Sequence, residues 1–237
     1  MQSIESLTII TPSRWLKEMA EQSPMFSGRR VECIYNPLDT DVFTPADQDA
    51  ARRRWGNSEK ETVICFGSVD VSSPYKGGEF IIPVLERLHA RGVRNLHLLI
   101  FGGGATNERY PYPHTRTGYL SSMADVASVY QASDVLLNPS KQDVFSYVAA
   151  ESQACGIPSV AFATGGIPEV VLHGETGLIA PQFDLDAMAD NLWQLVEDEA
   201  LREQMGSSAR EQAVRRFAYP VIAARHEKVY QEALRIG

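Results

Sequence analysis

Two carboxylates stand out in the segment PSKQDVFSYVAAESQACGIPSVA, residues 139–161. Asp143 falls in a predicted loop, and Glu151 follows eight positions later inside a helix predicted over residues 145–155. The residues around Glu151 are small, which indicates close packing against a sheet, where a carboxylate is costly to bury unless a partner satisfies it. An exposed helix face with Glu151 in water fits the same pattern, and composition leaves both interpretations open.

The start of this predicted helix offers a binding site for an anion. Ser146, Tyr147 and Val148 fall in its first turn, where backbone N–H groups have no partner within the helix. A phosphate placed there gains hydrogen bonds and the favourable end of the helix dipole, about 1–2 kcal/mol. Two carboxylates that flank a phosphate site suit a ligand with hydroxyls on both sides of a phosphate, and a nucleotide-sugar has this layout.

Lys76 is a further candidate, because it precedes two glycines at the start of another predicted helix, in SSPYKGGEF. A lysine there can reach a phosphate as a flexible point charge, although an isolated lysine is more often a solvated surface residue. The glycine turn at 102–104 does not complete a dinucleotide fingerprint, since Asn107 stands where its last glycine should be, and the sequence has no P-loop. These patterns disfavour a nicotinamide-dependent oxidoreductase and an ATPase.

Short apolar strands alternate with amphipathic helices along the chain, and these elements have to position the candidate residues. Strands are predicted at 7–10, 31–35, 62–68, 97–101, 134–138, 159–162 and 177–180. Pro12 is expected at the first position of the first helix, and the last helical stretch, 201–235, is expected to break near Gly206 and Pro220. The spacing predicts right-handed crossovers and a parallel sheet covered by helices on both faces. In such a sheet, ligands bind beyond the carboxyl ends of the strands.

Two further polar residues have weaker signals. His114 lies in YPYPHTRTGY, which is expected to form a proline-rich loop; a surface or satisfied role is favoured for this histidine, and a place at the border of the site is the alternative. Glu169, in GGIPEVV, is expected to cap its own helix or to be solvated.

The composition is that of an acidic globular protein of 237 residues, with 44% hydrophobic and 22% charged residues and a net charge of −8. Nucleic acid is disfavoured as a partner, because neutralising phosphates requires a basic face. No apolar run approaches the length of about 20 residues that is needed to span a bilayer, and the first residues lack the pattern of a secretion signal.

The three cysteines are far apart and have no histidines clustered with them: Cys33, Cys65 and Cys155. Disulfides and structural zinc are therefore disfavoured, and a cytoplasmic location is expected.

The order of several segments resembles the C-terminal, donor-binding half of the GT-B glycosyltransferases, closest to the retaining family 4, or group 1, type. The segments are TPSRW (11–15), NPLDTDVF (36–43), FGS…YKGG (66–78), GYL (118–120), VYQASDVLLNPS (129–140), DVFSYVAAESQACGIPSVA (143–161), TGGIPEVV (164–171) and HGETGLIAP (173–181). Each is weak alone, but their shared order over nearly the whole chain is specific. The resemblance implies an α/β, Rossmann-like domain with a parallel sheet and helices on both faces.

The resemblance also implies roles in binding the sugar, ribose and base of a nucleotide-sugar. Asp143 would contact hydroxyls of the transferred sugar, and Glu151 would hold the hydroxyls of the ribose. Tyr119 and Leu120 lie where the base usually packs.

For the diphosphate, the resemblance implies that the amides of Ser146, Tyr147 and Val148 receive its oxygens. Lys76 would neutralise charge on the departing nucleotide, so that Lys76 and Asp143 are the expected catalytic residues. Neither a divalent metal nor another cofactor is expected, in agreement with the lack of a D-x-D carboxylate pair.

Two positions depart from the family pattern. Asp143 stands where the family usually has Glu, so its contact with the sugar is one methylene shorter. Ser68 stands where a basic partner of Lys76 is usual, and loss of such a phosphate clamp costs about 1–3 kcal/mol if nothing replaces it.

The resemblance implies a domain division and an activity. Residues 1–35 would be a remnant of an N-terminal domain, 36–218 the nucleotide-sugar-binding domain, and 219–237 a helix that returns to the N-terminal domain. The expected activity is transfer of a hexose from an NDP-sugar to a saccharide or lipid-linked acceptor. The acceptor site would lie in the missing domain, so the chain alone is expected to be inactive, and the full enzyme could contact a membrane peripherally. The alternative is a non-catalytic nucleotide-sugar-binding module, or a subunit completed by a separate polypeptide.

Overall fold

The computed structural model describes residues 7–56, 61–70, 73–103 and 108–236, with the backbone alone for 68–70, 235 and 236. Two features of the sequence therefore lie outside the described part: the side chain of Ser68, and the end of the glycine turn from Gly104 to Asn107. The same holds for residues 1–6 of the predicted N-terminal remnant and for residue 237.

Within the described residues, the strands form a parallel pair and a separate six-stranded parallel sheet. The pair consists of β1 (Thr8–Thr11) and β2 (Arg30–Cys33). The strands of the larger sheet are β3 (Thr62–Asp70), β4 (Leu96–Gly103), β5 (His114–Gly118), β6 (Val135–Asn138), β7 (Ser159–Phe162) and β8 (Gly177–Ala180). Their order across the sheet is β5-β4-β3-β6-β7-β8, and every pairing is parallel.

The helices connect these strands and cover the sheet. They are α1 (Arg14–Gln22), α2 (Gln48–Trp55), α3 (Ile81–Ala90), α4 (Met123–Gln131), α5 (Tyr147–Ala154), α6 (Ile167–Val170), α7 (Leu185–Glu197), α8 (Glu199–Phe217) and α9 (Tyr219–Ile236). Side chains of α4, α5 and α8 pack in one hydrophobic cluster, and side chains of α3 and α7 pack in a second.

The central strand β3 explains why both faces of the sheet are covered. Successive side chains of a strand point to opposite faces, so Val63 and Cys65 belong to the first cluster, whereas Ile64 and Phe66 belong to the second. All four are at most 1% exposed. The prediction of a Rossmann-like α/β fold with helices on both faces is confirmed.

One strand was missed by the sequence prediction. The residues expected to form a proline-rich loop contain β5, which pairs only with β4 at the edge of the sheet. An edge strand needs no apolar run, because one of its sides faces solvent. His114 begins β5 and packs against the ring of Tyr110, so it lies at the end of the strand away from the site, and the alternative that it borders the site is wrong.

Two predicted helix features are also wrong. The first helix begins at Arg14 with Ser13 as its N-cap, so Pro12 lies outside it. The predicted break at Gly206 is absent, because α8 continues through this residue. A Cβ at Gly206 would lie 2.2 Å from the carbonyl oxygen of Gly156, so this glycine serves close packing instead. The predicted break near Pro220 is confirmed, since α8 ends at Phe217 and α9 begins at Tyr219.

The N-terminal segment is tied to the sheet domain by Glu169. The Glu169 carboxylate accepts hydrogen bonds of 2.8 Å from the backbone N–H groups of both Arg14 and Trp15. It therefore caps α1 rather than its own helix, which corrects the expectation from sequence. At the other end of the chain, Glu232 of α9 forms an ion pair with Arg30 of β2, so the last helix also contacts this segment.

Candidate functional site

A cavity of about 450 Å³ opens at the carboxyl ends of the central strands, where ligands of parallel sheets bind. It is lined by Ser73, Lys76, Phe101, Gly102, Tyr119, Leu120, Val126, Asp143, Phe145, Tyr147, Val148 and Glu151. Seven of the eight site residues predicted from the sequence are in this lining. The eighth, Ser146, is buried directly beside it, at the start of α5.

The N-terminus of α5 faces this cavity without a side-chain cap. Ser146 occupies the N-cap position in an extended conformation, but its hydroxyl makes no capping hydrogen bond. Instead, its Oγ accepts a hydrogen bond of 2.9 Å from Nδ2 of the buried Asn138. The first turn, which carries Tyr147 and Val148 in the cavity lining, therefore has no side-chain cap from Ser146, and such a helix N-terminus favours an anion. The helix begins two residues later than predicted.

Glu151 lies in the cavity wall one turn further along α5. Its Oε2 accepts a hydrogen bond of 2.9 Å from the hydroxyl of Tyr130, a fully buried residue of α4. Desolvation raises the pKa of Glu151 to about 7, although the Tyr130 hydrogen bond acts in the opposite direction. The carboxylate is thus partly buried and partnered, and the alternative of a solvated helix face is wrong.

Lys76 and Asp143 meet at the edge of the cavity. Lys76 Nζ lies 3.0 Å from Asp143 Oδ2, and the side chains are 35% and 13% exposed. The loop that carries Lys76 lies against the loop that carries Asp143, because the N–H of Lys141 donates to the carbonyl oxygen of Tyr75 at 2.8 Å. The ion pair joins positions 67 residues apart, so the sequence did not indicate it.

Glycines allow these loops to approach each other. Gly77 has a φ of +67°, and a Cβ there would lie 2.0 Å from the carbonyl oxygen of Pro139. Gly165 has a φ of +55°, and its Cβ would lie 2.1 Å from the carbonyl oxygen of Asp143. Only glycine fits both positions, and together they fix the loops that carry Lys76 and Asp143.

The opposite end of the cavity is apolar. Phe101, Leu120 and Val126 line it, and Tyr119 is 67% exposed at its rim. An exposed aromatic ring beside aliphatic side chains can stack on a planar ring of a ligand. The polarity of the cavity therefore runs from an apolar end to a charged end.

Neither a metal cluster nor a membrane span is found in the described part of the chain. Among those residues, no group of three or more His, Cys, Asp or Glu side chains is close enough to hold a metal ion. No helix there is both long and apolar enough to cross a membrane.

Sequence reasoning missed two residues that support the site. Tyr130 and Asn138 lie within the segment VYQASDVLLNPS, but no role was assigned to either. The available signal was Asn138 itself, because a polar residue that ends an otherwise apolar strand must be hydrogen-bonded once it is buried. Asn138 donates a hydrogen bond to the hydroxyl of Ser146, the N-cap residue of α5. This bond holds the hydroxyl away from the first turn of the helix.

The sequence matches the family model for glycosyl transferases group 1 over residues 47–212. It is 33% identical over 220 residues to D-inositol 3-phosphate glycosyltransferase from Corynebacterium efficiens, and the match covers 86% of this chain and 51% of that relative. The chain spans about half the length of the curated relatives it matches.

Solved structures show the same fold. Sucrose-phosphate synthase from Thermosynechococcus elongatus superposes with a TM-score of 0.82 at 22% identity, over 97% of this chain and 59% of that one. Anabaena Alr3699/HepE in complex with UDP-glucose gives a TM-score of 0.77 at 21% identity, over 95% of this chain and 64% of that one. At these identities the likeness establishes the architecture, not the ligand.

Proposed function

The chain belongs to the glycosyl transferases group 1 family, and we propose that its cavity binds the nucleotide-sugar donor of a glycosyltransferase of the retaining family 4 type. One observation carries the proposal: a single cavity combines an apolar end, an uncapped helix N-terminus, a lysine and two carboxylates. A base, a diphosphate and two sets of sugar hydroxyls require these groups. The UDP-glucose complex of the Anabaena protein is consistent with such a ligand.

In this proposal the base stacks at the apolar end, between Tyr119 and Leu120. The ribose hydroxyls donate hydrogen bonds to the Glu151 carboxylate, in the cavity wall one turn beyond the start of α5. The diphosphate lies against the first-turn N–H groups of α5, where the helix dipole favours negative charge. Asp143 then faces the hydroxyls of the sugar to be transferred.

The proposed reaction moves a hexose to a saccharide or lipid-linked acceptor. The bond between the anomeric carbon and the β-phosphate oxygen breaks, the oxygen of the acceptor hydroxyl forms the new bond with retained configuration, and the departing diphosphate takes up the proton of that hydroxyl. Lys76 and the N–H groups of α5 stabilise the charge that develops on the leaving diphosphate, which is electrostatic rather than acid–base catalysis. We propose that this requires no divalent metal.

Acceptor binding is assigned to a second, N-terminal domain of the whole protein. This assignment is consistent with the length of the curated relatives, because the chain spans only about half of each. The ion pair between Arg30 and Glu232 and the capping of α1 by Glu169 hold the N-terminal segment against the donor-binding domain. The proposed boundaries remain 1–35, 36–218 and 219–237.

Thermal unfolding of the chain with UDP-, GDP- and ADP-glucose tests the donor site. A ligand that binds only the folded state stabilises it, by about 2.7 kcal/mol when the free ligand concentration is 100 times Kd. This stabilisation raises the midpoint temperature of unfolding. We expect one nucleotide series to raise the midpoint and free glucose not to. Lys76→Ala should reduce the increase, whereas the control Lys141→Ala, which removes a lysine paired with Glu79 outside the cavity, should not.

If no nucleotide-sugar raises the midpoint temperature, the proposed function is wrong. If a nucleotide-sugar does bind, a nucleotide-release assay with the same donors and a panel of acceptors distinguishes a glycosyltransferase from a non-catalytic binding module. We expect the chain to bind without turnover and the whole protein to release nucleotide. A whole protein that binds the donor but never releases nucleotide would indicate a non-catalytic binding module.

A further inference from the structure

Lys76 forms an ion pair with a carboxylate of the same cavity wall. Its Nζ lies 3.0 Å from Asp143 Oδ2. The charged side chains that line the cavity, among the residues the structure describes, are Lys76, Asp143 and Glu151. The adjacent Lys141 is directed to Glu79 on the surface instead, at 2.6 Å. The only lysine in the described lining thus faces a carboxylate at the position where a phosphate would need it.

The two partners differ in how far they can move. Asp143 is held in place, because its Oδ1 accepts from the N–H of Phe145 at 3.3 Å and its carbonyl oxygen accepts from the N–H of Gly166 at 2.8 Å. Its side chain is 13% exposed, whereas that of Lys76 is 35% exposed and ends a flexible four-carbon stem. Of the two partners, Lys76 is therefore the one with freedom to turn toward an anion, and Asp143 is the one held in place.

We infer that Asp143 competes with the phosphates of a bound nucleotide for Lys76, and so weakens retention of the nucleoside diphosphate relative to the nucleotide-sugar. The inference rests on the proposed donor site. A nucleoside diphosphate that takes Lys76 leaves the Asp143 carboxylate unpaired beside a second anion, and like charges at short range repel.

The intact donor removes this penalty. Its sugar carries hydroxyls that can donate hydrogen bonds to the Asp143 carboxylate while Lys76 turns to the diphosphate. Once the sugar has been transferred, those donors are gone and the carboxylate recaptures Lys76. Asp143 is thus a specificity-determining residue that favours the substrate over the product and assists product release.

Calorimetric titration of four variants tests this inference. The ligands are whichever of UDP, GDP and ADP binds the unaltered chain, and the matching nucleotide-glucose. Asp143→Asn removes the negative charge but keeps an oxygen for the N–H of Phe145. The matched control is Glu79→Gln, which removes an equal charge from the neighbouring surface ion pair. Lys76→Met and the double variant with Asp143→Asn complete a double-mutant cycle.

We expect Asp143→Asn to bind the nucleoside diphosphate about fivefold more tightly, equivalent to about 1 kcal/mol. The preference for the nucleotide-glucose over the diphosphate should fall by at least the same factor. Glu79→Gln should change either affinity by less than about twofold. In the Lys76→Met background, the gain from Asp143→Asn should shrink, because no lysine remains to compete for.

Three results would overturn the inference. In the first, Asp143→Asn binds the diphosphate no more tightly than Glu79→Gln does. In the second, the gain is as large in the Lys76→Met background, which would mean direct repulsion rather than competition. Either result leaves the donor site standing. In the third, no nucleotide binds any variant, which removes the donor site together with the inference. Asp143→Ser, which can also accept from the N–H of Phe145, guards against a folding defect in Asp143→Asn.

Discussion

Glu151 should make the protein less stable and its donor site more effective at the same time. Desolvation raises the pKa of this carboxyl from an ordinary value of 4.5 to about 7 in the folded chain. As pH rises above 4.5, the unfolded chain releases the Glu151 proton while the folded chain retains it. The folded state therefore loses stability progressively between pH 4.5 and 7, and the loss is complete above pH 7.

The magnitude follows from the shift. Each unit of pKa corresponds to about 1.4 kcal/mol, so this group alone destabilises the folded chain by about 3 kcal/mol at pH 8 relative to pH 4. Glu151→Gln removes the charge but keeps an oxygen that can accept from the Tyr130 hydroxyl. We expect this variant to be more stable than the unaltered chain by about 2–3 kcal/mol at pH 8, and by much less at pH 4.

Donor binding should respond in the opposite sense. If the ionised carboxylate holds the ribose hydroxyls, affinity follows the ionised fraction of Glu151, which changes about tenfold between pH 6 and pH 8 for a pKa near 7. A nucleotide-sugar is the right ligand here, because the terminal phosphate of a nucleoside diphosphate itself titrates near pH 6. Glu151→Gln should bind weakly at both pH values.

Urea unfolding at pH 4 and pH 8, with calorimetry of the nucleotide-sugar at pH 6 and pH 8, measures both effects. Glu197→Gln, on the exposed side of α7, is the matched control and should change neither. The reasoning is refuted if Glu151→Gln is no more stable than the unaltered chain at pH 8. It is also refuted if donor affinity of the unaltered chain does not depend on pH.

Three further predictions follow from the geometry of the site. Tyr130→Phe removes the hydrogen bond that lowers the pKa of Glu151, so donor affinity at pH 7 should fall about two- to fivefold and recover at pH 9; a loss that persists at pH 9 would mean a packing defect only. Gly77→Ala should lower the free energy of unfolding in urea by more than about 2 kcal/mol and displace Lys76. The control Gly92→Ala, at a φ of +89° but with open space around it, should lower it by only about 1 kcal/mol. Equal losses would contradict the close approach of the two loops. Donor binding should be unchanged by excess EDTA, and a loss that Mg²⁺ or Mn²⁺ restores would contradict the proposed metal independence.

The sequence predicted the structure correctly where the pattern of residues close together in the chain determines it. Apolar runs such as that of β3 and the glycine and proline stops around the helices predicted the parallel sheet, because these signals act within a few residues. The same reasoning failed for β5, whose polar residues are tolerated at a sheet edge and which directly follows Pro113, and for Gly206, whose role depends on a contact with Gly156.

The site was predicted to the extent that its residues lie in ordered motifs. The interactions that set its chemistry are between residues distant in sequence and could not be inferred from periodicity. Tyr130 lies 21 positions from Glu151, and Lys76 lies 67 positions from Asp143. Burial of Glu151 was left open because small neighbours fit both a packed and an exposed helix face, and only the packing of α4 against α5 decides between them.

Calorimetry with UDP, GDP and ADP, on the unaltered chain and on Glu151→Ala at pH 8, tests the central claim most directly. We predict that one of the three nucleotides binds the unaltered chain and that Glu151→Ala abolishes or strongly weakens this binding. The absence of binding by all three nucleotides, or identical binding by Glu151→Ala, would contradict the assignment of this cavity as a nucleotide-sugar site.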